Sequence, residues 1–312
     1  VERAPFHDDL AEAPDGGTVV WRRTSDGIRL RLGWWAPEDA RGTVLLFPGR
    51  TEYLEKYGRI AGDLTAAGYA VVSIDWRGQG LSDRLDDDRH LGHVTDFLEY
   101  QKDVDALIEL VQDAALPSPR FLLAHSMGGC IGLRALVGGL DVARAVFTAP
   151  MWGIKLPALA RPLPHIVPPI ARLIKKERQY APGTRPVNYI TETGFAENML
   201  TTDRATYDWL GRHAAAAPEF ALGGPSVQWV GAATRETRRL FAAERPAHPV
   251  LTFLGSDEMI VSSEAIRRFH ANWPSARLVE IAGARHEIMM EAPELRQRFL
   301  DETLAFLAPD AV

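Results

Sequence analysis

An apolar run, Phe121-Leu122-Leu123, leads into Ala124-His125-Ser126-Met127-Gly128. A strand that stops at a serine between small residues, with a helix starting behind it, makes a nucleophile elbow. The turn is so tight that the residues two before and two after the serine must be small. Ala124 and Gly128 meet that need, although the commoner pattern has glycine at both places. The elbow lifts the Ser126 hydroxyl out of the sheet to where a histidine can reach it. It demands a parallel sheet backed by helices, and it points to acyl-group chemistry. The rest of the chain must then supply a base, an acid and an oxyanion hole, in the right order.

The pattern along the chain fits that demand. Two β-rich stretches, Thr18 to Arg23 and Ile28 to Trp35, flank Asp26-Gly27, a hairpin signal. Short apolar strands then alternate with helices. The strands are 44–47, 71–74, 121–123 and 145–147; the helices are 57–67, 97–115 and 131–137. Strands that are apolar throughout mean a parallel sheet covered on both faces. From Met151 to about Ala247 no strand is evident, and prolines and helical stretches dominate. Strand signal returns at 250–254 and 278–281, with helices at 263–269 and 293–307. The predicted class is α/β: a core of 1–150 and 248–312, interrupted by a helical cap of 151–247. The insertion leaves the sheet at its carboxyl edge, where ligands of such sheets bind.

A serine hydroxyl is a weak nucleophile until a base takes its proton. In this fold the order is nucleophile, acid, histidine. The loop after the returning strand reads Gly255-Ser256-Asp257-Glu258, and the next strand leads into Gly283-Ala284-Arg285-His286-Glu287. His286 is therefore the expected base and Asp257 the expected acid, with Glu258 as the fallback. His90, His93 and His165 come before the acid, His270 falls within a helix, and His125 adjoins the nucleophile and points elsewhere. The expected oxyanion donors are the backbone amides of Met127, behind the nucleophile, and Arg50, in the loop Phe47-Pro48-Gly49-Arg50. This chemistry uses no metal or cofactor, and none is expected.

Several segments together resemble a known family. They are Pro48-Gly49-Arg50-Thr51-Glu52-Tyr53, Asp75-Trp76-Arg77-Gly78-Gln79-Gly80-Leu81-Ser82, Leu91-Gly92-His93-Val94, Ala124 to Gly129, Thr148-Ala149-Pro150-Met151, Gly223-Gly224-Pro225 and His286-Glu287. The chain is similar to the α/β-hydrolase group of monoacylglycerol lipases and bacterial lysophospholipases, most closely the lysophospholipase L2 type. The resemblance implies the α/β-hydrolase fold, a lipid monoester as substrate, and triad roles for Ser126, Asp257 and His286. It also implies oxyanion donors at Arg50 and Met127, and a bracing role for Asp75, Arg77, Gly78 and Ser82. One departure stands out. Monoacylglycerol lipases usually carry His-Gly before the first donor. Here Pro48 stands in place of that histidine, and Arg50 in place of a small residue. Two readings of the Arg50 side chain stand open: it binds a lipid phosphate, or it pairs with Glu52 or another nearby carboxylate.

The cap segment 153–180 carries Lys155, Arg161, Arg172, Lys175, Lys176 and Arg178 against one acid, Glu177. On a protein of net charge −6 this reads as a membrane-surface element. The alternative, which the prolines favour because they break the amphipathic pattern, is a cap helix lining an acyl tunnel with its charges in water. Trp152, Trp209 and Trp229 either line the substrate channel, with Trp152 and Trp229 favoured, or form the cap's own core. Nothing argues for nucleic acid, which wants a clustered basic surface. The one cysteine, Cys130, reads as a small buried residue. No apolar run approaches a membrane span, and Val1-Glu2-Arg3-Ala4-Pro5 lacks the pattern of a secretion signal. A cytoplasmic protein is expected, with contact at the inner face of the membrane through the cap.

Overall fold

The computed structural model describes residues 2–155 and 162–308. Among these, eight strands form one sheet: β1 (Thr18–Arg23), β2 (Arg29–Trp35), β3 (Thr43–Phe47), β4 (Ala70–Asp75), β5 (Arg120–His125), β6 (Arg144–Thr148), β7 (Val250–Gly255) and β8 (Ala276–Ile281). Their spatial order is β1-β2-β4-β3-β5-β6-β7-β8. The hairpin predicted at Asp26-Gly27 joins β1 and β2 antiparallel, and β2 adds antiparallel to β4. From β4 onward every pairing is parallel.

The first helices are α1 (Asp8–Ala11), α2 (Gly58–Ala66), α3 (Glu99–Asp113) and α4 (Ser126–Val137). The insertion between β6 and β7 carries α5 (Leu163–Leu173), α6 (Tyr189–Glu192), α7 (Arg204–Ala216) and α8 (Val227–Ala242); α9 (Ser263–His270) and α10 (Pro293–Leu307) complete the core. Strand side chains alternate between two buried layers. Leu45, Phe47, Leu122 and Phe147 join the layer under α3, α4 and α8, whereas Val44, Leu46, Leu123 and Val146 join the one under α2 and α10. Each β3, β5 and β6 position inside these runs is therefore apolar, as covering on both faces requires. Trp229, Ala232, Ala233 and Leu240 of α8 lie in the first layer, so the insertion returns into the core before β7 begins. Arg134 on α4 also donates to Glu236 on α8 at 2.5 Å.

The prolines of the insertion do not break its first helix. Pro168 and Pro169 lie inside α5. Pro168 packs so closely on α8 that a Cβ at Gly231 would come within 2.6 Å of it. The opposite stripe of α5 (Leu163, Ile166, Ile170 and Leu173, with Ile174 just beyond) faces outward, Leu173 being 84% exposed. Among the described residues no helix is long and apolar enough to cross a membrane.

Buried charge braces the strand ends. Arg31 on β2 is fully buried and donates to both Glu55 oxygens (2.8 and 2.6 Å) and to Asp75 at 2.8 Å. Asp75 also accepts the Leu54 and Leu81 amides, each at 2.8 Å. Trp76 Nε1 donates to the Pro48 carbonyl at 2.9 Å, and the Thr51 amide donates to Gln79 Oε1. The 75–82 loop thus holds the 48–54 loop in place. Removing one partner of such a buried pair leaves the others unpaired and costs about 3–5 kcal/mol. Arg31→Met is expected to lower unfolding stability by about that amount, read as a shifted urea midpoint.

Candidate active site

Ser126 follows β5 and opens α4 with φ +49°. A non-glycine residue in this left-handed region costs about 1–3 kcal/mol and persists only where its surroundings enforce it. Here the enforcement is close packing. A Cβ at Gly128 would lie 2.3 Å from the Phe47 carbonyl oxygen and 2.4 Å from that of Pro48. Only glycine lets α4 approach the β3 loop that closely. The Met151 amide donates to the Ser126 carbonyl at 2.8 Å and fixes the turn from the β6 side.

His286 stands over this serine, with Nε2 2.9 Å from Ser126 Oγ. Its Nδ1 lies 2.7 Å from Glu258 Oε2. The carboxylate at the histidine is therefore Glu258, not the expected Asp257. Asp257 is exposed, and its Oδ1 accepts the neighbouring Ser256 hydroxyl at 2.9 Å. The turn after β7 explains the difference. Gly255 passes so close beneath the histidine loop that a Cβ there would meet the Ala284 carbonyl at 2.2 Å. The chain then turns Asp257 outward and the next residue inward. Glu258 is fully buried, and Oε1 accepts the Ile260 and Val261 amides at 2.5 and 3.0 Å. Burial pushes its carboxyl pKa up, but the facing His286, its hydrogen bond and the two amides outweigh that and hold it below the ordinary value. A carboxylate at Nδ1–H leaves the Nε2 lone pair aimed at the serine proton. The arrangement can transfer that proton and carry out nucleophilic attack.

The β3 and β5 strands are in register, Phe47 opposite Ala124, so the loop holding Arg50 lies beside the elbow. The Arg50 and Met127 amides meet no acceptor among the described residues. The Arg50 side chain does not pair with Glu52. Glu52 instead accepts Lys56 at 2.5 Å, the Tyr57 hydroxyl and the Gly49 amide. Arg50 Nη2 donates to the Gly223 carbonyl of the cap at 2.7 Å, its Nε is buried without a partner, and its guanidinium lies 5.2 Å from the Trp229 ring centre. Burial pulls its pKa down to about 10, and no carboxylate lies within salt-bridge distance among the described residues.

Ser126 and His286 open into a cavity of about 470 Å³ between core and cap. Apolar side chains such as Met151, Val187, Leu200, Leu222 and Ile260 line it, with Arg50, Arg185 and Trp229 on the same walls. The three tryptophans separate. Trp229 borders the cavity. Trp152 does not: it packs 5.2 Å from Phe147 and 5.0 Å from Phe269 and donates to the Gly129 carbonyl, so it is core. Trp209 donates to the Leu10 carbonyl at 2.9 Å, below the cap. Cys130 is buried. Lys56 carries no sequence motif of its own, although its partners Glu52 and Glu287 both lie in segments that resemble the family.

Glu258→Gln is expected to cut kcat on a short nitrophenyl ester about 10³–10⁴-fold, since it loses the charge and the tautomer control. Asp257→Asn should leave kcat within about twofold, because its carboxylate is solvated and remote from the ring. Steady-state hydrolysis assays of the two variants decide between the two acids.

Comparison with known proteins gives the family. The family model described as serine aminopeptidase, S33 matches residues 38–293. Lysophospholipase L2 of Escherichia coli strain K12 is 34% identical, across 93% of this chain and 89% of that protein. The probable lysophospholipase L2 of Haemophilus influenzae is 29% identical over 87% of this chain and 85% of its own. A soluble variant of monoglyceride lipase from Saccharomyces cerevisiae, solved with a substrate analogue, shares the fold at a TM-score of 0.73 and 22% identity, covering 97% of this chain and 98% of that one. The chain is an enzyme of the carboxylic ester hydrolase type, and it belongs to the α/β-hydrolase family described by the serine aminopeptidase S33 model, among the relatives of bacterial lysophospholipase L2.

Proposed function

We propose that this enzyme hydrolyses the acyl ester of lysophospholipids through an acyl-enzyme. Ser126 Oγ attacks the acyl carbonyl while His286 Nε2 takes its proton, with Glu258 holding the ring. The Arg50 and Met127 amides stabilise the oxyanion. His286 then returns the proton to the glycerol oxygen, the head-group portion leaves, and a water activated by His286 releases the fatty acid. Glu258 takes the role first expected of Asp257.

One observation carries the phospholipid reading over a monoacylglycerol or general ester reading: the Arg50 guanidinium in the cavity wall, with a buried unpaired Nε–H and no carboxylate against it. A buried cation without a counter-charge favours an anionic ligand, and a guanidinium fork suits a phosphate. Trp229 backs that guanidinium and completes the proposed head-group wall; Trp152 has no part in it. Lost charge-assisted hydrogen bonds of about 1.5–3 kcal/mol predict that Arg50→Ala lowers kcat/KM for lysophosphatidylethanolamine about 10–100-fold. Monoacylglycerol should change less than about threefold. Equal losses on both substrates would remove the head-group role. A panel of lysophospholipids, monoacylglycerol and nitrophenyl esters tests the substrate class itself.

The outward stripe of α5 supports contact with a lipid surface. Its leucines and isoleucines lie beside exposed Arg172, Lys175 and Lys176; Arg161, counted in the same basic segment, lies outside the described residues. Apolar side chains flanked by cations match an anionic bilayer surface. In this reading the enzyme is cytoplasmic and meets the inner leaflet cap first. Sedimentation with phosphatidylglycerol vesicles at low salt should retain the protein, and phosphatidylcholine vesicles should retain less. Lys175→Glu with Lys176→Glu should weaken the anionic retention several-fold. Equal retention on both vesicle types would count against docking.

A further inference from the structure

Three residues assigned to the chemistry each have a near neighbour in sequence whose side chain is buried in one cluster. His125 precedes Ser126, Glu287 follows His286, and Glu52 lies two residues beyond Arg50. These three side chains meet beside the site, and Lys56 joins them; Glu52, Lys56 and Glu287 border the same cavity as Ser126. Lys56 Nζ donates to Glu52 Oε1 at 2.5 Å and to Glu287 Oε1 at 2.6 Å. His125 Nε2 faces Glu287 Oε2 at 3.4 Å and Glu52 Oε1 at 3.8 Å. Its Nδ1 lies 3.1 Å from the Thr148 carbonyl and 2.9 Å from the Thr148 hydroxyl. Glu52 also takes the Gly49 amide, one residue before the proposed donor. All four side chains are buried, none more than 7% exposed.

Such burial is costly unless every charge is matched. The cluster matches them internally, with two carboxylates against an ammonium and an imidazole. Burial opposes the Lys56 charge, but the two carboxylates outweigh it and raise its pKa. The same carboxylates raise that of His125 against burial. Burial pushes Glu287 up, but Lys56 and His125 hold it well below the ordinary carboxylate range. The Glu52, His125 and Glu287 ligand atoms lie close enough together to hold a cation. The Lys56 ammonium already contacts both carboxylates there.

We propose that Lys56 is a positioning residue: through Glu52 and Glu287 it fixes the oxyanion loop and the histidine loop at one separation, with His125 tying in the nucleophile strand. His125 Nε2 also faces both loops, at 3.8 and 3.4 Å, but Lys56 Nζ bonds both directly at 2.5 and 2.6 Å. The His286 and Glu287 amides hang on cap carbonyls, Met199 at 3.4 Å and Leu200 at 2.8 Å, so the histidine loop would otherwise follow the cap. The His286 ring lies 4.8 Å from that of His125, and a small shift there misaligns proton transfer. Misplacement by about 1 Å typically costs about a hundredfold in rate.

The inference rests on the catalytic roles proposed for Ser126, His286 and the Arg50 amide. The test uses the full chain, a short nitrophenyl ester that avoids the head-group wall, and a fluorophosphonate probe to count competent sites. Per titrated site, Lys56→Met is expected to lose about a hundredfold in kcat, with KM within about threefold. Lys56→Arg, which keeps the charge, should recover at least tenfold of that loss. A Lys56→Met enzyme with fewer titratable sites but parental kcat per site would overturn the inference, since Lys56 would then serve stability alone. If Lys56→Met does not fold, Glu287→Gln gives the same reading: a kcat loss per site supports the inference, and parental kcat per site overturns it. Failure of the parent protein to react with the probe, by contrast, strikes the catalytic reading itself.

Discussion

In a parallel sheet every strand finishes at the same edge, so loops far apart in sequence end within hydrogen-bonding reach. Here β3, β5, β7 and β8 deliver Arg50, Ser126, Glu258 and His286 to one patch. The cap leaves from the end of β6, between Ser126 and Glu258 in sequence. That placement puts a roof over the patch without disturbing the sheet beneath it. The strained φ of Ser126 is the sharpest sign of the arrangement. It holds because α4 is pressed against the β3 loop on one side and tied to Met151 on the other.

A second theme is how much charge the core contains beside these loops. Arg31, Glu55 and Asp75 sit buried on one side of the 48–54 loop, and Lys56, Glu52 and Glu287 form a second buried group beside it. A hydrophobic core of equal volume is often as stable as a buried ion pair or more so. Charges, however, have directions that methyl groups lack. The buried acids accept specific loop amides (Gly49, Leu54, Leu81) and so fix backbone where a few tenths of an ångström matter. Arg50 breaks the pattern: half-buried in the cavity wall, it has no carboxylate against it among the described residues.

The elements were largely legible. The hairpin, the apolar strands and the flanking helices follow from period and from Gly/Pro punctuation, and the interruption between β6 and β7 follows from the loss of strand signal. The site was legible in part. Ser126 and His286 were found from a tight-turn signature and from loop order, and the structure brings them together at 2.9 Å. Asp257 does not meet His286, because counting residues past a strand does not say which way a turn sends each side chain. The turn at Gly255 adds a step, and the longer glutamate reaches the ring. Trp152 was misread for the same kind of reason: nearness in sequence to the cap does not tell whether a ring faces cavity or core.

The sequence by itself determined the class of chemistry and the fold, because a serine between small residues, after a buried strand and ahead of a later loop histidine, leaves few other architectures open. Local steric rules act over a few residues, and those a sequence displays directly. Which carboxylate meets His286, that Glu52 turns to Lys56 and not to Arg50, and that the outer stripe of α5 faces solvent were decided by the tertiary structure. Each depends on long-range packing: the approach of Gly255 to Ala284, of Lys56 to Glu287, and of Pro168 to Gly231. Such contacts join segments whose separation in the chain carries no local signal.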